Sequence, residues 1–254
     1  MPRGMMGGVR DTPYLVVDEP LLEANLAAMA DHARQRGLAL RPHAKTHKTP
    51  EIARRQLAHG AVGLTVATVG EAEVFADAGF DDLFIAYPVW AEGPRAQRLH
   101  DLARRVRLRV GADSVAAVGM LARAAAGDGH PVPLAVMVEV DSGHHRSGVE
   151  PARAAEVAAA ALEHGLVVDG VFTFPGHSYG PDAAVRAAAD EEEALRVARD
   201  ALLGVGIPCP VVSGGSTPSA GESRGDVLTE LRPGVYAFYD AQQWELGTVG
   251  PGRI

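Results

Sequence analysis

The sequence predicts an α/β fold of the (β/α)8 TIM-type barrel class. The chain has 254 residues, and barrels of this class run to about 250 residues. Short β-rich runs alternate with alanine-rich helical runs almost without a break, which is the pattern of a parallel sheet wrapped by helices. The chemically unusual residues fall where β-rich runs end, and a barrel builds its active site on that face.

Residues 12–18 (TPYLVVD) read as an initial strand. Residues 20–36 read as a helix, because Leu22, Leu26, Met29 and Ala33 repeat at helical spacing. Eight barrel strands are then expected at 38–45, 63–68, 82–88, 107–113, 134–141, 170–177, 209–215 and 228–236. The helical runs between them are 51–59, 71–78, 91–104, 115–125, 152–164 and 184–203. No linker or low-complexity tract divides the chain before its C-terminus.

Hydrophobic residues make up 47% and charged residues 22%, which fits a soluble globular domain. A net charge of −8 argues against a nucleic-acid or anionic-membrane surface. The lone Cys209 excludes an intrachain disulfide and a multi-cysteine zinc site, and its apolar setting before Pro210 reads as a buried structural thiol. No apolar run is long enough to span a bilayer, and the first residues lack the apolar core of a signal peptide, so the cytoplasm is the expected location.

Only two lysines occur, Lys45 and Lys48, both in the run Arg41-Pro-His-Ala-Lys-Thr-His-Lys48, against 22 arginines in the whole chain. Arginine does most of lysine's surface work but stays protonated, whereas lysine can lose its proton and attack a carbonyl. Alternation along a strand would put Arg41, His43, Lys45 and His47 on one face, and crowding by cations would lower the Lys45 pKa. Lys48 falls out of that phase. The end of the seventh strand, Ser213-Gly214-Gly215-Ser216-Thr217, suits an anion cup, since glycines expose backbone N–H groups and hydroxyls add donors. Phosphate sites in these barrels commonly lie after strands seven and eight. Tyr236 and Tyr239 are candidate phenolic donors to the same anion, with ordinary rim packing as the alternative. Arg146 is placed to face a cofactor nitrogen, a phosphate or a carboxylate; the alternative is an ion pair with Glu139 or Asp141. His144 and His145 are adjacent and point apart, so His177, beside Tyr179, is the preferred polar partner. A reactive lysine with an anion cup suggests a Schiff-base sugar-phosphate aldolase or a pyridoxal-phosphate (PLP) protein, and a lysine on the first strand fits the PLP barrels better.

The chain resembles the fold-type III PLP enzymes, the alanine racemase-like barrels, and within them the D-threonine aldolase and D-serine dehydratase branch. The resemblance rests on six segments in the family's order. They are the one opening at Thr12, the lysine run, the run from Val138 to Val149, Gly176-His-Ser-Tyr179, Ser213-Gly-Gly-Ser-Thr-Pro218 and Glu230-Leu-Arg-Pro-Gly-Val-Tyr236. It implies that Lys45 is the Schiff-base lysine and that Lys45 and His177 are the catalytic residues. It also implies that His43, Arg146, His177, Tyr179, Ser213, Gly214, Gly215, Ser216, Thr217, Tyr236 and Tyr239 surround the cofactor. The implied activity is a lyase for D-3-hydroxy amino acids. The alternatives are an amino-acid racemase and a non-catalytic single-barrel protein of PLP homeostasis. Members of this branch continue into a C-terminal β-domain that carries a histidine and a cysteine for a divalent metal of Mn or Zn type. On that pattern residues 1–18 would pair with the missing domain, 19–240 form the barrel, and 241–254 begin the connection to it. No metal ligand is expected within this chain, and a homodimer is expected.

Overall fold

The structure, a computed structural model, describes residues 12–127 and 129–254. Helix α1 (Glu19–Gln35) precedes the barrel. There follow β1 (Ala39–Leu40), α2 (Pro50–Ala58), β2 (Leu64–Val66), α3 (Val69–Asp77), β3 (Asp82–Pro88), α4 (Pro94–Ala103), β4 (Arg107–Ala112) and α5 (Val115–Ala126). The second half holds β5 (Leu134–Glu139), α6 (Ala154–Glu163), β6 (Val167–Phe172), α7 (Ala184–Gly204), β7 (Val211–Gly214), β8 (Glu230–Leu231) and a short α8 (Ala241–Glu245). All eight strands lie in one parallel sheet, each beside its sequence neighbour from β2 round to β8, and β8 pairs with β1. Val62 N–H donates to Leu40 O at 2.9 Å, Thr65 N–H donates to Pro42 O at 2.9 Å, and His43 bridges to Thr65, which closes the ring between β1 and β2.

The central strands form where the β-rich runs place them, because helices cover the outer face and the interior is filled. Leu83, Phe84, Ile85, Val110, Val136, Met137 and Val138 are all fully buried. The first and last strands are far shorter than the runs 38–45 and 228–236 suggest. Pro42 and Pro233 stop both ladders, since proline has no N–H to donate. The chain then tightens into 3-10 turns at Ala44–Thr46 and Val235–Ala237. Residues 12–18 form no strand, in contrast to the reading above: Leu15 is 96% exposed and Val16 80%. Glycine- and serine-rich sequence replaces a helix between β7 and β8, and α1 covers that gap from the other end of the chain. The His32 ring lies 2.7 Å from Ala220 O, and Arg36 Nε donates to Ser223 O at 3.0 Å.

The N-terminal half of the barrel interior is ionic. Arg41, 2% exposed, reaches Asp82 at 2.6 Å and Glu230 at 2.8 Å, and Arg109 reaches Asp169 at 2.7 Å. Each charge is held by an opposite one, which buried charge requires. Arg41 therefore points away from Lys45, against the alternation argument that put them together. Farther along the strands Phe84, Ala86, Met137 and Phe172 plug the interior, with the two phenyl rings edge to face at 5.0 Å. Beyond that plug lies the C-terminal mouth. Cys209 is half-buried, and loss of water pushes its thiol up to about 11, so it is inert at neutral pH. Among the described residues no helix is long and apolar enough to cross a membrane.

Candidate active site

Lys45 sits at the mouth, in the 3-10 turn rather than on β1. His43 caps that turn, its Nδ1 accepting from Lys45 N–H at 3.3 Å, while its own N–H donates to Pro233 O at 3.0 Å. Thr46 Oγ1 donates to Gly234 O at 2.8 Å. The two proline-broken strand ends thus hold each other, with Gly234 packed closely against His43. A Cβ there would lie 3.1 Å from His43 O and 3.2 Å from His43 Cβ. Among the described residues Lys48 is ion-paired, to Glu71 at 2.8 Å, and Lys45 is not. Lys45 is exposed as a whole, but its amine lies close to the mouth, where partial loss of water and then Arg146 and Arg232 hold it below its ordinary pKa. The neighbours that lower it are thus not Arg41 or His47, whose Nδ1 accepts from Thr49 N–H at 3.1 Å. His43 is buried, and that burial, with Lys45 and Arg232 beside it, keeps its ring neutral.

Phe174 forms the floor of the mouth. Lys45 Nζ lies 5.2 Å from the ring centroid and the Arg146 guanidinium 4.9 Å, both in cation–π range. Arg146 also faces Tyr87 at 5.5 Å and comes within 3.9 Å of Glu139 Oε1. Glu139 accepts from Ser147 Oγ at 2.8 Å, but its Oε2 is buried with no partner. Burial pushes the Glu139 carboxyl up to about 7. Asp141 pairs instead with His145 at 2.6 Å. Arg232, buried under Lys45 and Arg146, donates from Nε to Ser213 Oγ at 2.8 Å, bonds Thr173 O, and lies over Phe84 and Phe172 at 5.6 and 5.1 Å.

The loop after β7 divides its side chains between two sides. Ser213 points into the barrel, donating to Glu230 Oε1 at 2.7 Å, so its hydroxyl is committed to the interior network. Gly215 N–H donates to Glu191 Oε1 at 2.7 Å, and Gly214 packs on the same carboxylate. Ser216 Oγ lies 2.8 Å from both Ser178 Oγ and Ser219 Oγ. Thr217 Oγ1 accepts from Tyr236 N–H at 3.2 Å, and Thr217 and Tyr239 line an open cleft of about 410 Å³ with His32 and Met29. The Tyr236 phenol turns away to α2, where it accepts from Gln56 Nε2 at 3.0 Å, so Tyr239 is the phenol left facing the cleft.

His177 packs against Gly143 and α7, 3.3 Å from Asp190 Oδ2, and among the described residues no hydrogen bond or ring contact joins it to Lys45 or Phe174. The histidine edge-on to Phe174, at 5.6 Å, is His144. Alternation put His144 aside, but residues 142–148 form a loop in which strand phase does not apply. Tyr179 stands 6.4 Å from Phe174, its phenol pushed up to about 12 by burial and Asp240. Among the described residues no three His, Cys, Asp or Glu side chains converge as a metal site. The sequence reading missed Arg232, Phe174, Tyr87 and Glu191. Arg232 alone carried a signal there, as a charged residue inside an apolar strand run.

Residues 17–242 match the family described as alanine racemase, N-terminal domain. The D-threo-3-hydroxyaspartate dehydratase of a Delftia species is 40% identical over 93% of this chain and 63% of its own length. The D-threonine aldolase of an Arthrobacter species is 37% identical over 92% of this chain and 64% of its own. The solved structure of the Delftia dehydratase superposes with a TM-score of 0.88, covering 97% of this chain and 66% of that one. The chain thus spans about two thirds of the length of the named lyases it matches. It belongs to the alanine racemase N-terminal-domain family of fold-type III PLP barrels, on the branch that includes these dehydratases and aldolases.

Proposed function

We propose that this barrel is the PLP-binding domain of a lyase that acts on D-3-hydroxy amino acids, with Lys45 as the covalent anchor of the cofactor. The observation that carries this reading is the Lys45 amine. It stands at the C-terminal mouth without an ion pair among the described residues, above Phe174, with its pKa lowered by desolvation and by two arginines. An amine in that state gives up its proton more readily than an ordinary lysine and is the better nucleophile for it. The residues around it suit the cofactor's parts. Arg146 and Phe174 offer a guanidinium and an aromatic face beside the lysine, and Thr217 and Tyr239 offer hydroxyls in a separate cleft beside α1, which Lys45, Arg146 and Phe174 do not line. When bound, the cofactor supplies an electron sink for bond breaking at the substrate Cα. With the cofactor held there, the Lys45 amine would hold or return a proton beside the substrate Cα, and Arg146 would attract the substrate carboxylate.

The relatives named above support a lyase over a racemase or a non-catalytic carrier, since they include a dehydratase and an aldolase. Aldol cleavage and dehydration share the cofactor and differ in the groups around the β-hydroxyl. The general resemblance leans slightly to aldolase. A divalent metal belongs to this reading only where a C-terminal β-domain accompanies the barrel. The reading also takes the protein to be a cytoplasmic homodimer.

The test is to add PLP, record the visible band, reduce with borohydride, and then assay D-threonine, D-serine and D-threo-3-hydroxyaspartate with and without Mn²⁺. Glycine with an aldehyde, or a 2-oxo acid with ammonia, supports the reading. A colourless protein, or binding undiminished in Lys45→Ala, overturns it.

A further inference from the structure

Glu191 is a carboxylate inside a helix–sheet interface, fully buried, on α7. Nothing in the proposed chemistry uses it. Alternation along β7 sends Ser213 into the barrel and Gly214 outward to the helix layer. A Cβ on Gly214 would collide with Glu191 Oε1 and approach Leu228 Cδ2 to 2.8 Å, so the glycine exists to admit the carboxylate. That same oxygen accepts from Gly215 N–H at 2.7 Å, and Oε2 has no partner. Gly215 holds a φ of +82°, and a Cβ there would meet Leu231 Cδ2 at 2.7 Å. The peptide between the two glycines is therefore clamped from outside by Glu191. From inside the barrel Ser213 is clamped by Arg232, at 2.8 Å. Immediately beyond this clamp come Ser216 and Thr217, whose neighbours are Ser178, Ser219 and the Tyr236 N–H.

We propose that Glu191 is a positioning residue for the anion-binding loop after β7. Its carboxyl fixes the Gly214–Gly215 peptide so that Ser216 and Thr217 are presented to the phosphate of the cofactor. Gly215 N–H is consumed by this contact and is not itself an anion donor. The proposal rests on the PLP reading above. A bound phosphate gains from a loop whose ordering cost is already met, since pre-organised donors lose less freedom on binding. The side chain is suited to the task near neutral pH, where burial pushes its carboxyl up to about 7 and a proton can rest on Oε2 while Oε1 still accepts. Glutamine, with an amide oxygen in place of Oε1, can make the same contact.

The experiment compares dissociation constants for PLP and for pyridoxal, which lacks the phosphate, in wild type, Glu191→Gln, Glu191→Met and Glu191→Asp, each with its Tm. Methionine keeps the volume and loses the acceptor. Aspartate keeps the charge but draws it back from Gly215. The expected result is a preference for PLP over pyridoxal that falls at least tenfold in the Met and Asp variants and stays within twofold of wild type in the Gln variant. Pyridoxal affinity, which reports Lys45, stays within twofold throughout. A wild-type preference in either the Met or the Asp variant overturns the positioning role, as does equal loss of both ligands in step with Tm. If wild type binds neither compound, the PLP reading fails instead.

Discussion

Glu139→Gln gives the barrel mouth a direct thermodynamic readout. The Glu139 carboxyl, 2% exposed, is held at about 7 against an ordinary 4.5, with burial as the first cause. A raised carboxyl pKa means that the folded state prefers the neutral acid, while the unfolded chain ionises from about pH 4.5 upward. Its stability contribution is therefore complete below that pH and is lost as pH rises towards 7. At about 1.36 kcal/mol per pKa unit, a rise of about 2.5 units costs about 3 kcal/mol across this window. Glutamine cannot ionise, and its oxygen still accepts from Ser147 Oγ. Urea unfolding at pH 4.5 and pH 8 should show the variant losing about 3 kcal/mol less than wild type over that interval, equivalent to roughly 6 °C in Tm for a chain of this size. Glu191, also raised to about 7 by burial, supplies a similar slope in both proteins. Parallel pH profiles for wild type and Glu139→Gln would refute a desolvated, ionisable Glu139 beside Arg146.

Tyr236→Phe removes the acceptor of Gln56 Nε2 from a buried site, and denaturation should show a loss of about 1–3 kcal/mol while PLP affinity stays unchanged; a large loss of PLP affinity at constant stability would return the phenol to the phosphate site. Gly234→Ala crowds His43 O and Cβ and shifts the turn that carries Lys45 by a few tenths of an ångström, so PLP capture, followed by absorbance, should slow. Lys48→Met breaks the pair between the exposed Lys48 and the largely buried Glu71, which is worth about 1 kcal/mol, and should lower Tm by only a few degrees while PLP capture stays nearly unchanged.

The barrel was legible where a strand is buried on both faces. The run 82–88 matches β3 (Asp82–Pro88) because nothing in it interrupts the ladder. It was over-read at β1 and β8, where Pro42 and Pro233 end pairing while the apolar pattern continues. The helix missing after β7 left its trace in the run of serine and glycine, but nothing local says that α1 fills the space. Lys45 stood out through composition alone. The physical basis of its perturbed amine did not, since strand alternation nominated Arg41 and His47 and a 3-10 turn cancels that phase. Arg232 acts through Thr173 and Phe172, about 60 positions away, and Phe174 through Lys45 and Arg146, and such long-range pairs leave no periodicity to read.

The central claim is that Lys45, and not Lys48, carries the cofactor. Borohydride reduction of the PLP-loaded protein, followed by proteolysis and mass spectrometry of the peptide holding both lysines, tests it directly. The account predicts a single pyridoxyl adduct on Lys45, abolished in Lys45→Ala and retained in Lys48→Met. An adduct on Lys48, or equal labelling of the two lysines, would contradict it.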